Sequence, residues 1–451
     1  MSLRRTGHLL AALLVVACAP QGDGVLVLAG PTLIDGSGGP PIRDALIVIR
    51  DGRIDAVARV NEIPVPRGAE VVSLVGKTVI PGLIDAHAHV ERWAGSRYIA
   101  WGVTAVRDMN GGPDSAYVVR NEFNLGSVLG PRLYTSGPMI DGVPPTYPHA
   151  TGVATPDEAR RAAGRRALAG ADHLKAYTKL TPVLMRALMD EAATLQRPVA
   201  AHLGKTDALT AARAGVASLE HAAGVVQAAA PNAAAVIRAH DLFFAGWTVE
   251  ERSWADLDSA TVARVARQLA ETRVAVVPTL VLHDVLSRLD DAALLRRRAM
   301  ADVPADARSV RDVAGLLRRS GWSAPDFAAF RRSQPRLRQF VREFKRAGGL
   351  VAAGSDAVNQ LLVPGAALHD ELEQLVAAGF TPLEAITAAT RHAATLMGVD
   401  SLGMLAPGKV ADLVVLNRDP SDDIRATRAI AWVLLRGRRI ATDSLRATWT
   451  R

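Results

Sequence analysis

The stretch Thr78 to Val90, TVIPGLIDAHAHV, is an apolar run that ends in two histidines two residues apart. In an extended strand, residues i and i+2 share a face, so His87 and His89 can offer two imidazoles to one metal ion from a single short segment. Taken alone, such a pair reads equally well as two polar residues at a strand end. Its position decides, because the pair follows a run that reads as buried. Ligands at the C-terminal end of a first parallel strand are where a barrel enzyme keeps its chemistry.

Four further short runs have the same form. ADHLKAYTKL carries Lys175, RPVAAHL carries His202, GVASLEH ends in His221 and VAAGSD ends in Asp356. Each places a polar residue at or near the end of a β-like run, and helix-patterned sequence separates the runs. A lone histidine is more often a core or surface residue than a ligand. The ordered set points to a metal site built on alternating strands and helices, an α/β fold.

The chain of 451 residues exceeds the roughly 250 of a bare (β/α)8 barrel, so insertions and a second domain are expected. Residues 25–77 show alternating strands and a hairpin signal at Asp51-Gly52, between ALIVIR and RIDAV. Residues 405–451 repeat that character with KVADLVVL and AIAWVLLRGRRI. The two end segments are expected to meet as one small β-sandwich domain, with residues 78–404 forming a TIM-like barrel. Thr155-Pro156-Asp157-Glu158 and Thr381-Pro382-Leu383-Glu384 read as capped helix starts.

The formal charge is +8, yet the arginines are spread along helices and only 4% of residues are aromatic. A solvated helical face explains this better than nucleic-acid binding. Residues 1–24 read as an export signal. Arg4 and Arg5 precede an apolar run, Leu9 to Ala17, too short to span a bilayer, and VVAC ends in the chain's one cysteine, Cys18. That pattern is similar to a bacterial lipobox, with Val15 where leucine is usual. It predicts an exported protein, periplasmic or held at the outer membrane by a lipid on Cys18. An ordinary cleaved signal is the alternative. With a single cysteine there is no intrachain disulfide.

The motifs PGLIDAHAHV, GVTAVRD, GADHLKAY, AHLG, SLEH, VPTL and GSD, with the tail TPLEAITAAT and GMLAPGKVADLVVLNRDP, resemble the amidohydrolase superfamily, specifically its imidazolonepropionase-like and prolidase-like members. The resemblance runs from about residue 25 to the C-terminus and is weakest at 225–270 and 286–337. It implies two divalent ions, zinc foremost, with His87, His89 and Asp356 on one and His202 and His221 on the other. It implies also that Lys175 bridges them as a carbamate made with carbon dioxide, since an ordinary lysine cation would repel a metal. Such a centre lowers the pKa of bound water towards about 7. Asp356 would act first as base and then as acid.

Lys175 lines up with His173 and Tyr177 by the i, i+2 rule, which places Tyr177 within reach of substrate. His149, in TYPHATG, and His283, beyond VPTL, are further candidate substrate contacts, although either is equally read as an ordinary loop histidine. His240, His369 and His392 lie in helix-like segments and read as structural. Arg107 pairs either with a substrate carboxylate or with Asp108.

The expected reaction is hydrolysis of an amide C-N bond in a small molecule: a dipeptide, an Xaa-Pro-like substrate or an N-acyl amino acid. A mononuclear deaminase or cyclic-amide hydrolase of the same superfamily is the alternative, and a non-catalytic surface lipoprotein a third. The sequence leaves homo-oligomer formation open.

Overall fold

The computed structural model describes residues 24–112 and 115–449. The expected export segment, Cys18 included, lies outside the described residues. Among the described residues, no helix is long and apolar enough to cross a membrane.

The apolar run at Thr78 is two strands. Thr78–Pro81 pairs antiparallel with Leu413–Leu416 and parallel with Thr32–Leu33, within a five-stranded sheet completed by Ile430–Leu435 and Arg438–Ile440. After Gly82, Leu83–Ala88 joins Val103–Asp108 and Arg132–Thr135 in a separate parallel sheet. One continuous apolar segment thus serves two sheets, which an apolar pattern cannot reveal because both contexts bury it.

A four-stranded sheet, ordered Arg53–Arg59, Ala45–Arg50, Val25–Ala29 and Glu70–Ser73, lies near the N-terminus. Its hairpin turns at Asp51 and Gly52, both with positive φ, the two-residue geometry that the right-handed twist of paired strands favours. Leu28, Ile47 and Ile49 from this sheet share one apolar cluster with Val79, Leu413, Val415 and Trp432 from the five-stranded sheet. Chain segments more than 300 residues apart therefore bury each other's faces.

A second parallel sheet runs Thr151–Val153, Ile140–Gly142, Leu174–Ala176, Val199–Ala201, Ser218–Glu220, Ala275–Val277. Hydrogen bonds extend both parallel sheets. The Asp172 N–H donates to Thr135 O at 2.9 Å, the Ala352 N–H to Val276 O at 3.0 Å, and the Ala86 N–H to Ala353 O at 2.9 Å. Helices follow most of these strands. Pro156–Leu168 and Pro382–Thr387 begin as expected, with Thr155 and Thr381 capping the backbone and Glu158 and Glu384 reaching back.

Candidate metal centre

His87 is the next-to-last residue of the strand Leu83–Ala88, His202 follows Val199–Ala201, His221 follows Ser218–Glu220, and Asp356 lies five residues after Val351, which bridges to Val276. Lys175 sits in the middle of Leu174–Ala176. All five are buried, and His89 is half-buried. Parallel strands point their C-terminal ends the same way, so these side chains, scattered over 270 residues of sequence, gather at one end of the array.

Asp356 Oδ1 lies 3.1 Å from His87 Nε2 and 3.0 Å from His89 Nε2. The rings of His87 and His221 are 4.4 Å apart, and those of His202 and His221 are 4.7 Å apart. Donor atoms of His87, His221 and Asp356 all fall within 4.8 Å of one another. Lys175 Nζ and His202 Nε2 are buried with no hydrogen-bond partner. Buried polar atoms are nearly always paired, so orphaned nitrogens beside a carboxylate fit a site that holds a cation.

The electrostatics agree. Burial moves His202 and His221 well below the ordinary histidine range, which keeps them as the neutral imidazoles a metal requires. Burial opposes ionisation of Asp356, but the neighbouring His221, His87 and His89 outweigh it and hold the carboxyl well below its usual range. Burial pushes the Lys175 amine down to about 8. Asn359 Nδ2 donates to Asp356 Oδ2 at 2.8 Å and fixes that carboxylate. The Gly354 of GSD is required by close packing, because a Cβ there would come within 2.9 Å of the His87 nitrogen.

The supporting residues are those that sequence reasoning missed. His87 Nδ1 is 2.5 Å from Glu220 Oε2, which leaves Nε2 for the site. Glu220 also pairs with Arg107 at 3.0 Å, and Arg107 donates to Ala86 O and Ser218 Oγ. Arg107 is therefore a core residue bound to Glu220, neither a partner of Asp108 nor open to a substrate carboxylate. The signal was there in SLEH, since Ser218 and Glu220 share the inward face by the i, i+2 rule. Asp85 likewise accepts from the Ser355 N–H and Oγ at 2.9 and 2.5 Å, joining the first strand to the segment that carries Asp356.

Tyr177 is buried, its ring 4.8 Å from His202 and edge-on to it. His149 is exposed, bonded to Asn110 at 2.7 Å and stacked on Tyr147. His283 is buried with both ring nitrogens taken: Nδ1 lies 2.5 Å from Glu251 Oε1, and Nε2 donates to His221 O at 3.1 Å. It stands behind His221 and has no nitrogen left for a substrate. His369 bonds Thr427 and the Trp101 carbonyl, His392 bonds the Val351 carbonyl, and His240 bonds Glu250.

Parallel strands with imidazoles, a carboxylate and a buried amine gathered at their C-terminal ends form the frame of a metal-dependent hydrolase. Comparison with known proteins agrees: residues 78–440 match the amidohydrolase family. The chain belongs to that family.

A dihydroorotase from Pelotomaculum thermopropionicum is 26% identical over 425 residues, covering 89% of this chain and 91% of that protein. A crystal structure of a candidate prolidase from Bifidobacterium longum superposes with a TM-score of 0.69 at 26% identity, covering 96% of this chain and all of the other. Shorter matches join the chain to an imidazolonepropionase from Idiomarina loihiensis, 41% identical over 66 residues and 15% of this chain, and to an N-acyl-D-aspartate deacylase from Alcaligenes xylosoxydans xylosoxydans, 30% identical over 186 residues and 37% of this chain. They span 16% and 34% of those proteins.

Proposed function

We propose that this amidohydrolase-family hydrolase cleaves an amide C-N bond in a dipeptide, Xaa-Pro-like substrate or N-acyl amino acid at a binuclear metal centre. The observation that carries the reading is Lys175, a buried amine without a partner among metal-competent groups. An uncharged amine is the form that reacts with carbon dioxide, and burial moves Lys175 towards that form. His87, His89 and Asp356 would hold one divalent ion and His202 and His221 the other, with carboxylated Lys175 bridging them. Zinc suits this donor set of imidazole nitrogen and carboxylate oxygen. Bound there, the metals supply a nucleophile at neutral pH and polarise the substrate carbonyl.

The chain's own residues do the rest. Asp356, ionised and fixed by Asn359, takes the proton of the attacking water on a carboxylate oxygen and returns it to the leaving nitrogen. Glu220 holds His87 in the orientation that presents Nε2. Tyr177, beside His202, and His149, stacked on Tyr147, would be the substrate contacts. The candidate prolidase and the N-acyl-D-aspartate deacylase among the relatives are consistent with this substrate class. A mononuclear reading, with one ion on His87, His221 and Asp356, draws on the closeness of those three donors.

The strand circuit is read here as a closed (β/α)8 barrel over 78–404. The end sheets are read as a β-sandwich over 25–77 and 405–451, with Thr78–Pro81 as the seam. Export and lipid anchoring through Cys18 belong to the same proposal, as does a small-molecule substrate in place of nucleic acid.

A screen of dipeptides and N-acyl amino acids, read as released amine, tests the activity. Hydrolysis that a chelator abolishes and Zn2+ restores is expected. No turnover of any member, or turnover indifferent to the chelator, contradicts it.

A further inference from the structure

The turn that carries His221 is unusual in its backbone. His221 and Ala222 both adopt positive φ, 61° and 52°, and Gly224 follows at 84°. Side chains with a Cβ rarely take such conformations, and they persist only where surrounding contacts over-determine them. Several of those contacts trace to one helix, Phe243–Ser253, in the segment where the family resemblance is weakest, directly through Glu250 and indirectly through Glu251 and His283.

Trp247, Glu250 and Glu251 lie at i, i+3 and i+4 on this helix and so share a face. Glu250 Oε1 accepts the Gly224 N–H at 2.9 Å, and its other oxygen meets Gln227 and His240. Glu251 holds His283, whose Nε2 donates to the His221 carbonyl. Trp247 stacks on His283 and lies 5.1 Å from the His202 ring and 5.9 Å from that of His221. A cavity of only about 10 Å³ separates the helix from the two imidazoles. That is room for about one water and none for a substrate.

We infer that helix Phe243–Ser253 is a clamp that aims His221, with Glu250 holding one end of its turn and Glu251, through His283, the other. The inference rests on the reading of His221 as a metal ligand. Glu250, Glu251 and His283 are positioning residues. None of them offers a ligand atom itself, and Thr279 Oγ1, 2.7 Å from His221 Nδ1, completes the hold by fixing the ring. Removing the clamp frees the turn to relax towards ordinary φ and swings His221 Nε2 away from His87 and Asp356.

Cobalt titration of the full-length protein tests this, read as visible absorption bands and as competition with a chelator. Glu251→Ala and His283→Ala are expected to weaken Co2+ binding about 10–100-fold and to alter the bands, as loss of a ligand's outer support does. Glu251→Gln, which keeps an oxygen acceptor for His283 Nδ1, should return both towards wild type. His369→Gln removes a buried histidine that holds Thr427 and Trp101, so it should lower thermal stability with the bands unchanged.

Should the alanine variants fail to fold, Glu251→Asp, which withdraws the carboxylate by one methylene, is expected to show the same weakening. Wild-type bands and affinity in folded Glu251→Ala, Glu251→Asp and His283→Ala overturn the clamp, as does an equal change of bands in His369→Gln. A wild type that takes up no Co2+, or bands indifferent to His221→Ala, overturns the ligand reading itself. The clamp fails alone where His221→Ala changes the bands and Glu251→Ala does not.

Discussion

Glu220 Oε2 lies 2.5 Å from His87 Nδ1, joining two strands across 133 residues of sequence and leaving the opposite imidazole nitrogen directed at Asp356. Burial opposes ionisation of Glu220, but the Arg107 guanidinium and His87 hold its carboxyl well below the usual range. It is a buried carboxylate serving a cation and a candidate ligand together.

Glu220→Gln removes the charge and strands Arg107 in the core. Loss of one partner from a buried ion pair costs about 3–5 kcal/mol, so a clear fall in Tm is expected together with weaker metal uptake. Thermal unfolding with and without added Zn2+ measures both. An unchanged Tm contradicts the pairing.

Glu371, on helix Ala366–Ala377, is wholly buried, with one oxygen accepting the Val281 N–H at 2.8 Å and the other unpartnered. Burial pushes its carboxyl up to about 8 from an ordinary 4.5. The fold therefore favours the protonated form, and this group's contribution to stability is full in acid and lost as pH rises from 4.5 through about 8. Glu371→Gln keeps the shape without the ionisation. Its Tm relative to wild type should climb across that window and level off above it, and a difference constant from pH 5 to 9 would contradict this.

The division between what was legible and what was not follows from the range of the interactions. His87, His89, His202, His221 and Asp356 declare themselves because each ends a short apolar run, a local pattern. Arg107, Glu220, Asp85 and Glu251 do not, because a polar residue in a core is intelligible only once its distant partner is known. His283 shows the same limit. Its place beyond a strand end suggested a substrate contact, while Glu251, 32 residues away, and the His221 carbonyl take both its nitrogens. The Asp51-Gly52 hairpin and the Thr-Pro helix starts were readable because turns and caps are set within four residues.

Export is tested at Cys18. Cys18→Ser should move the protein from the membrane to the soluble fraction with turnover unchanged. Wild-type protein found already soluble would contradict a lipid anchor.

Metal content per chain, measured for wild type and Lys175→Ala side by side, bears most directly on the proposed binuclear centre. The expected result is about two ions in wild type, with loss of metal and a fall of several orders of magnitude in turnover in Lys175→Ala, because the bridging oxygens of the proposed carbamate would go with the amine. Acetate or propionate at high concentration should restore part of both. Lys175→Ala retaining two metals and full turnover would contradict the account, and a single ion in wild type would give the site to the mononuclear reading.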